Sequence, residues 1–189
     1  MTKIILASNS PRRKKILTDL GLEFEVVPSN YEEKLETDTF SYDLIEDLAT
    51  QKACDVVRRV GQDEIVLGAD TVVVLHNKIL GKPKDKEEAY KMLSELSGNT
   101  HMVVTALCGI NTKTNRAALL STTSYVRFKE LSDELINYYI DTFTPLDKAG
   151  SYGIQGKGGL LVKGIDGDYF NVVGLPVARL KRELEDFIK

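Results

Sequence analysis

The sequence predicts one α/β domain on a mixed, twisted sheet flanked by helices. Three observations predict it. Short β-branched runs alternate with segments of helical periodicity, the pattern of a layered α/β domain. Residues 101–111 and 116–128 are long strand-like runs joined across the polar turn 112–115, which implies an antiparallel pair and so a mixed sheet. The 189 residues hold no repeat, low-complexity tract or obvious linker, and about 150 residues per domain is the usual scale.

Each element has a local reason. Residues 3–7 read as a short buried strand. Residues 10–20 read as a helix, because Ser10 suits the N-cap, Pro11 the first helical position and Gly21 the stop. Phe24, Val26 and Val27 mark a second strand. Residues 41–60 carry Ile45, Leu48, Ala49, Ala53, Val56, Val57 and Val60 at helical spacing. Residues 65–75 are too β-branched for a comfortable helix. They are expected to form a buried strand, a kink at 68–70, then a strand that turns at His76-Asn77. Asp85 and Glu88 are a capping-box pair opening a helix over 85–96. Residues 133–143 and 176–188 are amphipathic helices, and a glycine-rich loop, 150–159, precedes a strand over 160–165.

Composition narrows the function classes. Apolar residues make up 42% and charged residues 28%, ordinary for a globular protein. The net charge of −3 argues against a general nucleic-acid binder, which carries a basic face, without excluding a local basic pocket. No apolar stretch is long enough to span a bilayer. The apolar run at 4–7 is too short for an export signal and is followed by Arg12-Arg13-Lys14-Lys15. Cys54 and Cys108 are too few for a disulfide scaffold and are expected to be small buried thiols in a reducing cytoplasm. His76 and His101 are the only histidines, too few for a multi-His zinc site.

Five stretches place polar residues where structure alone does not ask for them. Arg12 and Arg13 fall early in the first helix, where the dipole disfavours cations by roughly 0.3–1 kcal/mol each. A bound phosphate would reverse that sign, with N–H groups, the Ser8 and Ser10 hydroxyls and guanidinium forks converging on it. A solvated basic patch is the alternative. Lys52 lies between Leu48 and Val56 on an apolar helix face, so it either snorkels outward or reaches into a pocket. Asp70 is set between Ile65-Val66-Leu67 and Val72-Val73-Val74, where it could cap a turn, hold a divalent cation or act as a general base. Lys82 precedes Pro83, which holds it extended; Glu32-Glu33-Lys34 is a polar loop that is either surface or a source of a second metal ligand beside Asp70. In Ala149 to Gly156, glycines permit close approach to a ligand and Gln155 offers a donor and an acceptor suited to a base edge, against the reading of a flexible loop.

Familiar nucleotide and hydrolase signatures are missing. There is no P-loop and no Gly-x-Gly-x-x-Gly after a strand. Gly150-Ser151-Tyr152-Gly153 lacks the first glycine, the strand and the following histidine of a serine-hydrolase elbow. Asp166-Gly167-Asp168 could be a metal pair but is read as a turn, since Asp-Gly lies between apolar runs.

The segments taken together resemble the Maf family of nucleoside triphosphate pyrophosphatases. The matching stretches are Leu6 to Arg13, Glu32-Glu33-Lys34, Gln51-Lys52-Ala53, Gly68-Ala69-Asp70-Thr71-Val72, Gly81-Lys82-Pro83, Asp147 to Gly150, Tyr152 to Gly156, and Gly167-Asp168-Tyr169 through Gly174-Leu175-Pro176. Each is weak alone; their order and spacing are specific. The resemblance implies a cytoplasmic enzyme that cleaves a nucleoside triphosphate to monophosphate and pyrophosphate with a divalent cation, Mg²⁺ or Mn²⁺. It implies a two-lobed fold with a central cleft, like inosine triphosphate pyrophosphatases. It implies Asp70 as proton acceptor, and Arg12, Thr71 and Gln155 as the residues of the subgroup that prefers dTTP and UTP. Arg13, Lys52 and Lys82 would neutralise the triphosphate, and Asp70 and Glu33 would hold the metal. Modified pyrimidine nucleotides are expected substrates from the family's house-cleaning role. A homodimer is compatible with the sequence, which marks no interface. Competing classes are a nucleotide sensor without turnover, a DNA-binding module using residues 12–15, and a phosphomonoesterase.

Overall fold

Three parallel strands begin the sheet. β1 (Lys3–Leu6) runs between β2 (Phe24–Val26) and β3 (Glu64–Leu75). β3 then pairs antiparallel with β5 (Thr100–Asn111), β5 with β6 (Arg116–Phe128), and β6 with β7 (Val162–Asp166). β4 (Lys78–Leu80) folds back on the end of β3 through His76 and Asn77, both at positive φ (48° and 66°), the backbone of a tight hairpin. The result is the expected mixed sheet, seven-stranded, flanked by α1 (Pro11–Asp19), α2 (Tyr42–Val57), α3 (Lys86–Leu96), α4 (Asp133–Phe143), α5 (Tyr169–Val173) and α6 (Val177–Ile188). The computed structural model describes residues 3–32 and 38–188. Among the described residues no helix is long and apolar enough to cross a membrane.

The helix starts follow the caps in the sequence. The Ser10 hydroxyl accepts from the Arg13 N–H at 3.4 Å, with Pro11 at the first turn. Asp85 accepts from Glu88 N–H at 2.8 Å, while the Glu88 carboxylate reaches back to Lys84 N–H at 2.6 Å, one residue earlier than a strict capping box. Asp168 caps the short α5, so the Asp166-Gly167-Asp168 segment is a strand end and a helix cap. Cys108 is buried as expected, whereas Cys54 is half-buried on α2.

The expected kink at Gly68–Asp70 is absent. β3 is one strand of 12 residues, paired with β5 without a break from Ile65↔Asn111 to Val74↔Met102. Gly68 serves a different purpose. A Cβ there would lie 2.4 Å from the Ala49 carbonyl oxygen and 2.7 Å from Ala53 N, so only glycine lets α2 pack this closely on the strand.

Alternation along β3 distributes the core. Val66, Val72 and Val74 face α2 with Ile45, Ala49 and Ala53. Ile65, Leu67 and Ala69 pack on the opposite face with Leu17 of α1 and Leu180 of α6. Farther along that same face, Val73 and Leu75 join Leu93 of α3 and Ile140 of α4. One face thus carries two cores, and Thr71 sits on the strand between them.

Candidate active site

The cleft arises from a gap along one edge of β3. β1 pairs with β3 only as far as Leu6↔Leu67, continued by Ala7 N–H to the Leu67 carbonyl at 2.9 Å. β4 takes up the same strand only from Val73. Between them, residues 69–71 of β3 have no strand partner on that side among the described residues. A cleft of about 740 Å³ opens there, within the range of roughly 300–1,000 Å³ typical of small-molecule sites. Because the cleft meets the strand edge-on, the side chains of both Asp70 and Thr71 line it, although they point to opposite faces of the sheet.

The predicted site residues converge. Ser8, Ser10, Arg12, Arg13, Lys52, Asp70, Thr71, Lys82 and Gln155 all line this one cleft. Glu33, the second metal ligand expected from the sequence, lies outside the described residues. Asp70 stands in the middle of a long strand, not at a turn. The Lys52 ammonium, reaching from the apolar face of α2, forms an ion pair with Asp70 Oδ1. The two side chains are only 12% and 10% exposed, and each compensates a charge that would be costly to bury alone.

Arg13 is more constrained than its place in an exposed helix start suggests. It is 9% exposed. Its Nε donates to the Gly174 carbonyl at 2.8 Å, Nη1 to Ser8 Oγ at 3.2 Å and Nη2 to Thr71 Oγ1 at 2.9 Å. Gly174 has φ +126°, a conformation that suits glycine and aims its carbonyl at the guanidinium. The Ser8 hydroxyl also accepts from Ser10 N–H at 3.2 Å, which shapes the turn into α1. The two serines therefore support Arg13 and the helix start, and each hydroxyl keeps its own proton for a further acceptor.

Arg12 and Lys82 stand at the outer part of the cleft. Arg12 Nη1 reaches Asp147 Oδ2 at 3.4 Å, joining α1 to the turn at Pro145–Asp147. Partial burial raises the Asp147 carboxyl, but the hydrogen bond and charge of Lys148, with Arg12 behind, outweigh it and hold the group below its ordinary value. Lys82 is exposed on the loop after β4, and Gly81 beside it accepts from Gly150 N–H at 3.0 Å.

The glycine-rich stretch is a loop of short 3-10 turns, with Gln155 exposed. It is pinned from below. Gly153 N–H donates to the Tyr139 hydroxyl at 3.1 Å, and the Tyr152 hydroxyl meets His101 Nε2 at 2.7 Å. Burial holds the Tyr152 phenol protonated, far above its ordinary range, and drives His101 down to about 4. Sequence reasoning did not assign His101, Asp147 or Gly174 a role. Asp147 and Gly174 fall within motif stretches, but their partners are distant in the chain.

The family model and the curated relatives match nearly the whole chain. The family model described as Maf-like protein matches residues 3–187. A dTTP/UTP pyrophosphatase from Alkaliphilus oremlandii is 51% identical over 180 residues, covering 95% of this chain and 93% of the relative. A dTTP/UTP pyrophosphatase from Acetivibrio thermocellus is 48% identical, with 99% and 96% covered. Among solved structures, a dITP/XTP pyrophosphatase from Mycobacterium abscessus aligns at 19% identity and a TM-score of 0.47, over 68% of this chain and 75% of that one. The family match and the extent of identity with the curated relatives lead to one conclusion: the chain belongs to the Maf-like protein family.

Proposed function

We propose that this protein hydrolyses dTTP and UTP, with modified pyrimidine nucleotides as further substrates, to the nucleoside monophosphate and pyrophosphate. The observation that carries the reading is the buried Lys52–Asp70 pair at the open edge of β3, ringed by Arg12, Arg13 and Lys82. A triphosphate carries about four negative charges, and a water that attacks it must overcome them. The arginines and lysines bind and orient the phosphates and offset the charge that moves onto the leaving pyrophosphate. Asp70 accepts the proton of the attacking water as the bond to the α-phosphorus forms and the bridging oxygen departs with the pyrophosphate. Lys52 holds the carboxylate in place for that transfer. Gln155, on a pinned but exposed loop, is the reader of the pyrimidine edge, with Arg12 and Thr71 completing the preference.

Mg²⁺ or Mn²⁺ fits the donor set as part of this proposal. Such ions are commonly held by one or two carboxylates together with substrate phosphate oxygens. Asp70 supplies a cleft-lining carboxylate, and no group of three metal-binding side chains occurs among the described residues. Asp70 would hold the ion with the triphosphate, and the ion would supply charge neutralisation and a more acidic water. The two free thiols are in keeping with a cytoplasmic location.

The test incubates the protein with a nucleotide panel and Mg²⁺ or Mn²⁺ and identifies the products. Pyrophosphate from dTTP and UTP, lost in Asp70→Asn, is expected. Orthophosphate as the product, or binding without turnover, would refute the proposal in favour of a phosphomonoesterase or a sensor.

A further inference from the structure

Arg13 is clasped in a closed ring of hydrogen bonds, and two members of the ring, Thr105 and Asn171, lie outside the cleft. Thr105 is fully buried on β5, directly opposite Thr71 in the strand register. The Thr71 and Thr105 hydroxyl oxygens are 2.9 Å apart, and Thr105 Oγ1 donates to the Asn171 carbonyl at 3.0 Å. The same carbonyl accepts from Gly174 N–H at 3.1 Å, and the Gly174 carbonyl accepts from Arg13 Nε at 2.8 Å. The Arg13 Nη2 to Thr71 bond at 2.9 Å closes the circuit.

Proton counting gives the ring a direction. A hydroxyl has a single proton. That of Thr105 goes to a carbonyl oxygen, which can only accept, so the proton between the two threonines comes from Thr71. Thr71 therefore faces Arg13 as an acceptor, and its donated proton strengthens that acceptor through the chain of bonds. We infer that Thr105 is a positioning residue of the active site, which fixes the polarity of the Thr71 hydroxyl and through it the orientation of the Arg13 guanidinium. Thr105 is not among the residues that line the cleft, so its effect on turnover has to pass through Thr71 and Arg13.

The inference rests on the pyrophosphatase reading for its kinetic test. A tilted guanidinium mispositions charge that develops as pyrophosphate leaves, so Thr105→Val should lower kcat about tenfold with KM changed less than about twofold. Thr105→Ser, which keeps both bonds, should recover kcat to within about twofold of the parent. In a Thr71→Val background, Thr105→Val should have no further effect on kcat, because its route to Arg13 is already broken. An equal loss in both backgrounds, or no loss in a folded Thr105→Val, would overturn the assignment. A second measurement needs no variant and no turnover. In the unmodified protein, the Thr71 and Thr105 hydroxyl protons should be protected from exchange by NMR, with the Thr71 proton in dipolar contact with the Thr105 side chain. A rapidly exchanging Thr71 hydroxyl would overturn the ring even if dTTP turnover is normal. If the protein released no pyrophosphate, the function reading would fail while a protected Thr71 proton would still support the ring.

Discussion

Acidification from pH 7 to pH 5 should destabilise the fold by about 2 kcal/mol through His101 alone. The ring is 2% exposed, packed edge-on against Phe128 and Tyr152 with centroids at 5.0 Å and 5.4 Å. Nε2 is bonded to the Tyr152 hydroxyl, and Nδ1 finds no partner among the described residues. Protonation would bury a positive charge with one N–H unsatisfied, so burial lowers the pKa from 6.5 to about 4. The folded value is the lower one, so the unfolded chain takes up the proton first. The contribution of His101 is complete above about pH 6.5 and falls away as pH drops toward 4. Carboxylates titrate in part of this window, so a difference measurement isolates the effect. His101→Gln still offers the tyrosine a polar partner but cannot titrate. Thermal melts of both proteins at pH 7 and pH 5 should show the parent losing about 4–8 °C more than the variant, at about 2–4 °C per kcal/mol for a chain of this size. Parallel losses would refute the burial argument.

Three other outcomes are expected. Lys52→Met removes the ammonium from the buried pair with Asp70, so it should cost about 3–5 kcal/mol in urea unfolding, and adding Asp70→Asn should restore much of that loss. Gly68→Ala forces a methyl group against the α2 backbone at Ala49 and should lower stability by about 3 kcal/mol by the same assay. Asp147→Asn frees Arg12 from an exposed pair worth less than about 1 kcal/mol, so KM for the triphosphate should fall by no more than about fivefold, with the melting temperature unchanged.

The sequence was most informative where the cause was local. Ser10, Pro11 and Gly21 bound the first helix because caps act over a few residues, and the Lys52 charge stands out against an apolar stripe. The Gly68 signal misleads for a tertiary reason: a glycine in a strand reads as a bend, whereas the approach of α2 is what requires it. Arg13 stands out in the sequence as a cation at a helix start, yet its orientation is set by a carbonyl at Gly174, far along the chain. Thr105 is not legible, because threonine is ordinary in strands and its partner at Asn171 appears only when α5 folds against β5. A central cleft follows from the family resemblance, but its place at the open edge of β3 is not legible, since it is the space between the end of one strand and the start of another.

The division between β3 and the 150–159 loop bears on how such an enzyme changes over time. Asp70 and Thr71 lie on the strand that ties together all three cores, so substitutions there disturb the most cooperative part of the molecule. Gln155 is exposed on a loop, where replacement disturbs little packing. Under the roles proposed above, a change of base reader at Gln155 costs the fold little, whereas a change at Asp70 strikes the strand that holds the cores together, so new substrates are reached more cheaply from the loop than from the strand.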